Sequence, residues 1–271
     1  MYGIKNILTL VDLSTGSNPV IEAALTCSKF FNASLILYHA SPNLFGEAQL
    51  NELKERFENT LLELKKVQDC QDIKSQIIIA SEDFPSGKLL KQVITDVELV
   101  VIGGGKANAG DTKREKVVKI VDTCEQPILV IPRNRKMSEL KHILYCSSYQ
   151  DLSANDPLEI VKYIAEKFNS EVRVAHVKTH SGKPNEDHVD RSRMEGAFFE
   201  PEVKYSYKLI RSENVIEGIG QYIKKKGDND LLVMIRRKHH IFDRIFGKNF
   251  TYRMLQHTEI PLLIIKEPQL N

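Results

Sequence analysis

Along the first half of the chain, short apolar runs alternate with longer amphipathic stretches. Residues 7–11 (ILTLV) are a near-continuous apolar run, the pattern of a strand buried on both faces. Asp12 to Asn18 is turn chemistry, with Ser14, Gly16 and Ser17 available to start a helix and Pro19 near its first turn. Helical spacing then runs from Val20 to Phe31, and Asn32 ends it. A second strand is predicted over 34–39 (SLILYH). A long amphipathic helix follows over Glu47–Val67, with Leu50, Leu53, Phe57, Leu61 and Leu64 at three- and four-residue steps. The pattern continues with a strand over 75–80, a helix over 86–94, a strand over 99–103, a helix over 112–122 and a strand over 127–131. Strands that alternate with helices and read as continuous apolar runs require a parallel sheet covered on both faces.

The second half repeats the first. Lys5-Asn6-Ile7-Leu8 returns as Lys141-His142-Ile143-Leu144, and FNASLILYHA (31–40) returns as FNSEVRVAHV (168–177). ELVVI (98–102) returns as DLLVM (230–234), and QPILVI (126–131) as IPLLII (260–265). Matches in one order at nearly one spacing mean two copies of a single unit, 1–135 and 139–271, joined by the polar, basic, Pro-started PRNRKMSE. Strands are predicted in the second copy over 143–147, 171–177, 203–210, 231–235 and 261–265, and helices over 155–168, 215–226 and 242–257. The polar, poorly periodic stretch 180–201 predicts a shortened helix and a longer loop.

Composition narrows the class without changing that picture. The 271 residues are 42% hydrophobic and 27% charged, with a formal net charge of +2. This excludes a disordered chain and gives no global field for nucleic acid. No apolar run is long enough for a transmembrane helix, so no membrane partner is expected. The N-terminal MYGIKNILTLVDLS reaches Asp12 too early for a secretory signal and has no small-residue cleavage site. Four scattered cysteines, none in a CxxC pair, point to unreactive thiols in the cytoplasm.

Val11-Asp12-x-Ser14 after the first strand, the strand end Tyr38-His39, ELVVIG before a glycine loop and the Pro-initiated PILVI together resemble the universal stress protein family. DLLVM and IPLLII carry the likeness into the second copy, so the chain resembles a tandem, two-module member over nearly its whole length. The resemblance implies α/β architecture: two doubly wound modules, each a five-stranded parallel sheet in order 3-2-1-4-5 with helices on both faces. It also implies pairing of modules through their fifth strands, so that the two halves form an intrachain pseudo-dimer, with room for a homodimer besides.

In such a sheet a ligand sits beyond the C-terminal strand ends, between strands one and four. ATP-binding members of the family use the Asp after strand one and a Gly-x-x-Gly-(nine residues)-Gly-Ser/Thr motif after strand four. Glycines there let backbone N–H groups approach phosphates. The candidate cofactor-binding residues carried over are Val11, Asp12, Ser14, His39, Gly103, Gly105, Lys106 and Gly110, for ATP or AMP in the first module. The motif is incomplete, because its Gly-Ser pair is missing. Two readings stay open: a phosphate held by backbone donors plus Lys106, or a tight strand-to-helix connection needing only flexible glycines. Asp12 likewise either meets a ligand or serves the turn after strand one.

The second module is degenerate. Ser148 stands at the Asp position, and Arg236-Arg237-Lys238-His239-His240 replaces the loop glycines. Arg236, Arg237 and Lys238 fit contact with another anion or a partner, or a solvated charge run. Phe242, Phe246 and Phe250 form one helical stripe and read as core rather than as a nucleic-acid platform. His39 and His176 occupy matching strand ends. His180, His188, Asp187 and Asp190 lack the spacing of a structural zinc site. No nucleophile elbow, complete phosphate loop or HExxH motif occurs. The expectation is therefore a stress-response or regulatory binding module without catalysis. The alternative is an ATP-binding protein or weak nucleotide hydrolase using the first-module glycine loop, with Asp12 and Lys106 essential.

Overall fold

A computed structural model describes residues 2–12, 17–42, 46–104, 112–132, 135, 137, 139–146, 158–178, 203–236, 253–255 and 259–266. Contacts divide the chain into two compact units, one from Gly3 to Ser138 and one from Glu139 to Asn271, with the first two residues grouped with the second.

The first unit runs β1 (Asn6–Leu10), α1 (Asn18–Phe31), β2 (Ser34–Ala40), α2 (Glu47–Val67), β3 (Ser75–Ala80), α3 (Lys88–Thr95), β4 (Leu99–Gly103), α4 (Thr112–Thr123) and β5 (Ile128–Ile131). Its strands lie in the order β3-β2-β1-β4-β5, and all their pairings are parallel. The second unit runs β6 (His142–Cys146), α5 (Leu158–Phe168), β7 (Glu171–Lys178), β8 (Tyr205–Arg211), α6 (Val215–Lys226), β9 (Leu231–Arg236) and β10 (Leu262–Lys266). Its order, β8-β7-β6-β9-β10, repeats that of the first unit and is parallel throughout.

The central strands are the core of each unit. Ile7, Leu8, Leu35, Val100 and Val101 are sealed from solvent in the first, as are Ile143, Leu144, Val172, Val174, Leu232 and Val233 in the second. Each such side chain contributes about 1.5–3 kcal/mol of burial. Phe57, Leu61 and Leu64 form the buried stripe of α2.

The two units also repeat bond by bond at the N-terminal edges of their sheets. Glu98 Oε2 accepts the N–H groups of Lys5 and Asn6 at 3.0 and 2.8 Å. Asp230 Oδ2 accepts those of Lys141 and His142 at 2.8 and 2.9 Å. Asn32 and Asn169 end α1 and α5 in the left-handed region, at φ 55° and 53°, where Asn is tolerated far better than branched residues. Gly227 ends α6 at φ 66°, and its N–H reaches the Ile223 carbonyl at 2.9 Å.

Boundaries differ from the sequence expectation where local chemistry intervenes. Helix α3 begins at Lys88 rather than Ser86, because the carboxylate of Glu82 accepts the N–H groups of Leu89 (3.1 Å) and Leu90 (3.0 Å) and fixes where the helix starts. Strands β5 and β10 begin one residue after Pro127 and Pro261. A proline has no N–H for the ladder, but each carbonyl still accepts a bond, from Val100 (3.0 Å) and Leu232 (2.9 Å). Strand β8 starts at Tyr205 rather than at 203. The stretch 180–201 lies outside the described residues, and so does nearly all of the helix expected over 242–257. No helix among the described residues is long and apolar enough to cross a membrane.

Candidate functional site

In the first unit the order reverses between β1 and β4, and the register sets Leu10 beside Ile102. Val11 and Asp12 therefore leave the sheet at the same edge as Gly103 and Gly104. Val11 is buried, and both of its backbone groups are engaged. Its N–H donates to the Tyr38 carbonyl at 3.0 Å. Its carbonyl receives a hydrogen bond from His39 Nδ1 at 3.0 Å. A carbonyl can only accept, so His39 is the donor in this contact, through Nδ1–H. The imidazole also lies 5.3 Å, centroid to centroid, from the ring of buried Phe57 on α2. His39 thus ties the end of β1 to β2 and α2.

Half-buried Asp12 follows Val11 at this sheet edge. The Ser17 hydroxyl donates to Asp12 Oδ1 at 3.0 Å and also contacts the Asp12 carbonyl. Ser17 immediately precedes α1, and its own carbonyl accepts from Val20 and Ile21. The carboxylate is thereby held near the positive end of the α1 dipole, which is the turn role open to it from the sequence.

Two glycines have packing reasons of their own. A Cβ on Gly103 would meet Val20 Cγ2 of α1 at 3.2 Å, and one on Gly104 would meet Val130 Cγ1 at 3.3 Å. Gly104 also donates to the Ile131 carbonyl at 2.9 Å. The structure therefore gathers Val11, Asp12, His39 and Gly103 at one strand edge. Ser14, Gly105, Lys106 and Gly110 lie outside the described residues.

Nearby stands a pair that sequence reasoning missed. The hydroxyl of Tyr38, a fully buried residue on β2, donates to Glu82 after β3. Burial works to raise Glu82. The hydrogen bonds from Tyr38 and from the amides of Leu90, Leu89 and Lys88 outweigh it and hold the carboxyl below its usual range. Burial, with the same bond, pushes the Tyr38 phenol up. The available signal was an acidic residue standing just ahead of a Pro-Ser-Gly helix start.

The second unit presents different chemistry at the corresponding edge. Cys146 ends β6, and half-buried Arg236 occupies the position of Gly104, in register with Lys266 of β10. Its Cβ removes the close backbone approach that a glycine allows. Arg237, Lys238, Ser148 and the cluster of His180, Asp187, His188 and Asp190 lie outside the described residues.

At the opposite edge of the second sheet lies a charged cluster that the sequence did not reveal. Buried Arg173 on β7 donates to Asp228 through both terminal nitrogens, at 2.7 and 2.9 Å, and to Asn229 Oδ1 at 3.2 Å. The hydrogen bond from Arg173 comes first among the influences that hold the Asp228 carboxyl below its usual range.

Solved structures align with the chain along nearly its whole length. A universal stress protein from Archaeoglobus fulgidus covers 97% of this chain and 97% of its own, at a TM-score of 0.67 and 17% identity. The chain has the universal stress protein fold, twice over. That fold also matches a functionally unknown protein from Pseudomonas aeruginosa over 97% of this chain and 92% of the other (TM-score 0.65, 12% identity). The cytoplasmic domain of a prokaryotic cation chloride cotransporter matches over 97% and 95%, at a TM-score of 0.54 and 10% identity. No family model and no curated protein matches the sequence. The universal stress protein fold therefore fixes where a crevice lies, while the residues at its rim decide what enters.

Proposed function

We propose that the chain is a cytoplasmic regulatory binding module with one adenine-nucleotide site per chain, in the first unit, and no catalytic activity. The observation that carries this reading is the contrast between the two switch points. At the first, Asp12 follows β1 and takes a hydrogen bond from Ser17 at the start of α1, at the sheet edge where Gly103 and Gly104 end β4, whereas at the second Arg236 stands at the position of Gly104. A carboxylate at the strand edge suits a ribose hydroxyl or a base amino group, because it offers only acceptors. Glycines followed by Lys106 suit the phosphate end. Cytoplasmic location is supported by four free cysteines.

Equilibrium dialysis of the intact chain against ATP, ADP and AMP tests the reading. One equivalent bound per chain, lost in Asp12→Ala and retained in Ser148→Ala, is the expected outcome. Two equivalents, or equal effects of the two substitutions, would overturn it. The hydrolase alternative needs phosphate release that disappears in Lys106→Ala.

A further inference from the structure

The outer strands of the two sheets, β3 and β8, hold the same position in the repeated topology but differ in what they expose. In β3 the carbonyl of Lys74 accepts from Leu35 and that of Ala80 accepts from Ser41, both at 2.9 Å. Backbone groups alternate direction along a parallel strand. The even-numbered residues of β3 therefore bond to β2, and those of Ser75, Ile77 and Ile79 point away from the sheet. Ser75 and Gln76 are exposed, Ile77 to Ile79 are half-buried, and no residue from Ser75 to Ala80 is charged. Lys65 places its ammonium on the Ile73 carbonyl and the Ser75 hydroxyl, at the N-terminal start of this row, two residues short of Ile77. An uncharged, proline-free, apolar edge is a template for strand addition.

The edge of β8 is built otherwise. Exposed Lys204 precedes it, exposed Arg211 ends it, and Lys208 lies at its centre. Antiparallel pairing of two copies in the register that joins Tyr207 to Leu209 sets Lys208 against Lys208, which like charge disfavours. Exposed Lys74 flanks β3 as Lys204 flanks β8, but within β3 itself no charged residue stands where Lys208 stands in β8.

We propose that β3 is a dimerisation edge, at which two copies of this chain pair antiparallel around Ile77 into one continuous sheet. Centred there, Ile77 exchanges both backbone hydrogen bonds with Ile77 of the second copy. Ser75 does the same with the second copy's Ile79. On the other face Gln76 lies beside the second copy's Ile78, so no like charges meet within the strand. The two-fold axis closes the assembly, because the same patch serves both copies. This proposal is independent of the nucleotide reading and uses none of its residues.

Sedimentation velocity of the intact chain over a hundredfold concentration range provides the test. Ile77→Lys places two ammonium groups opposite each other at the axis. Ser75→Pro removes an outward N–H at the first residue of an edge strand, where proline is tolerated. A dimer in the parent chain is expected, with its dissociation constant raised at least tenfold by each substitution, while Leu209→Ala in β8 leaves it unchanged. Far-UV circular dichroism checks that each variant is folded, and a variant that unfolds is set aside in favour of the other. A monomeric parent chain, a dimer that survives in the folded variants, or open-ended aggregation would each overturn the proposal.

Discussion

Asp228→Asn removes the nearer of two carboxylates that compensate a buried guanidinium, leaving Glu171 Oε1 3.9 Å from Arg173 Nε. Arg173 is 8% exposed and its two terminal nitrogens hold the Asp228 carboxylate in parallel contacts of 2.7 and 2.9 Å. Breaking a fully buried pair costs about 3–5 kcal/mol. The Asp228 side chain is 45% exposed, so water takes over part of the compensation, and Asn229 still accepts from Arg173. The expected loss falls to about 1–3 kcal/mol. For a unit of this size 2 kcal/mol lowers Tm by roughly 7 °C. The repeat supplies the control: in the first unit Ile36 and Val97 stand where Arg173 and Asn229 stand in the second. Arg173→Ile combined with Asn229→Val replaces the buried charge by the apolar pair that the same fold already accommodates, so it is expected to be neutral or stabilising. Differential scanning calorimetry at pH 7 measures both. Because Arg173 lowers the Asp228 carboxyl, the contribution of the pair is fully present above the unfolded carboxylate range, near pH 4, and is lost as pH falls through the folded value. The Asp228→Asn penalty therefore shrinks on acidification. A double swap that costs as much as Asp228→Asn, or a penalty independent of pH down to pH 3, would refute the reasoning.

Gly87→Ala sets a Cβ onto Glu82, a carboxylate already held by Tyr38 and three helix amides. Loss of about 1–3 kcal/mol is expected by urea unfolding, and Glu82→Ala, which empties that position, should leave Gly87→Ala nearly without further effect. Gly103→Ala pushes against Val20 at 3.2 Å and should cost about 1–2 kcal/mol in the same assay, with or without ligand. Burial pushes the Cys27 thiol up to about 12. Its alkylation in the native protein at pH 8 should be roughly three orders of magnitude slower than that of a free thiol and should rise about tenfold per pH unit, as mass spectrometry of the labelled residue will show.

The fold was legible because buried parallel strands are written locally, as apolar runs such as LVVIG and LLVMI, and because the duplication wrote each of them twice. Strand ends were less legible where one atom decides them. Pro127 and Pro261 look like strand by hydropathy, yet they contribute a carbonyl and no N–H. The start of α3 depended on Glu82, five residues before Gly87, whose role appears only when Tyr38 of β2 is brought beside it. The candidate site was legible in outline at Val11, Asp12, His39 and Gly103. The part each plays was not, because the bond of His39 to the Val11 carbonyl and that of Ser17 to Asp12 are set by how strand ends meet. Arg173 in a strand and Asp228 in a turn are 55 residues apart, and no spacing rule joins them.

The paired acceptors Glu98 and Asp230 separate what the duplication kept from what it released. Each ties down the first amide of its unit's central strand and the amide just before it, at the end of the sheet opposite the switch point. With that anchorage in place, the opposite rim is free to change from glycines to arginine without loss of register. Duplication here kept the chassis while the residues at the rim diverged. A chimaera carrying the first unit's rim residues on the second unit's sheet should fold as readily as the parent.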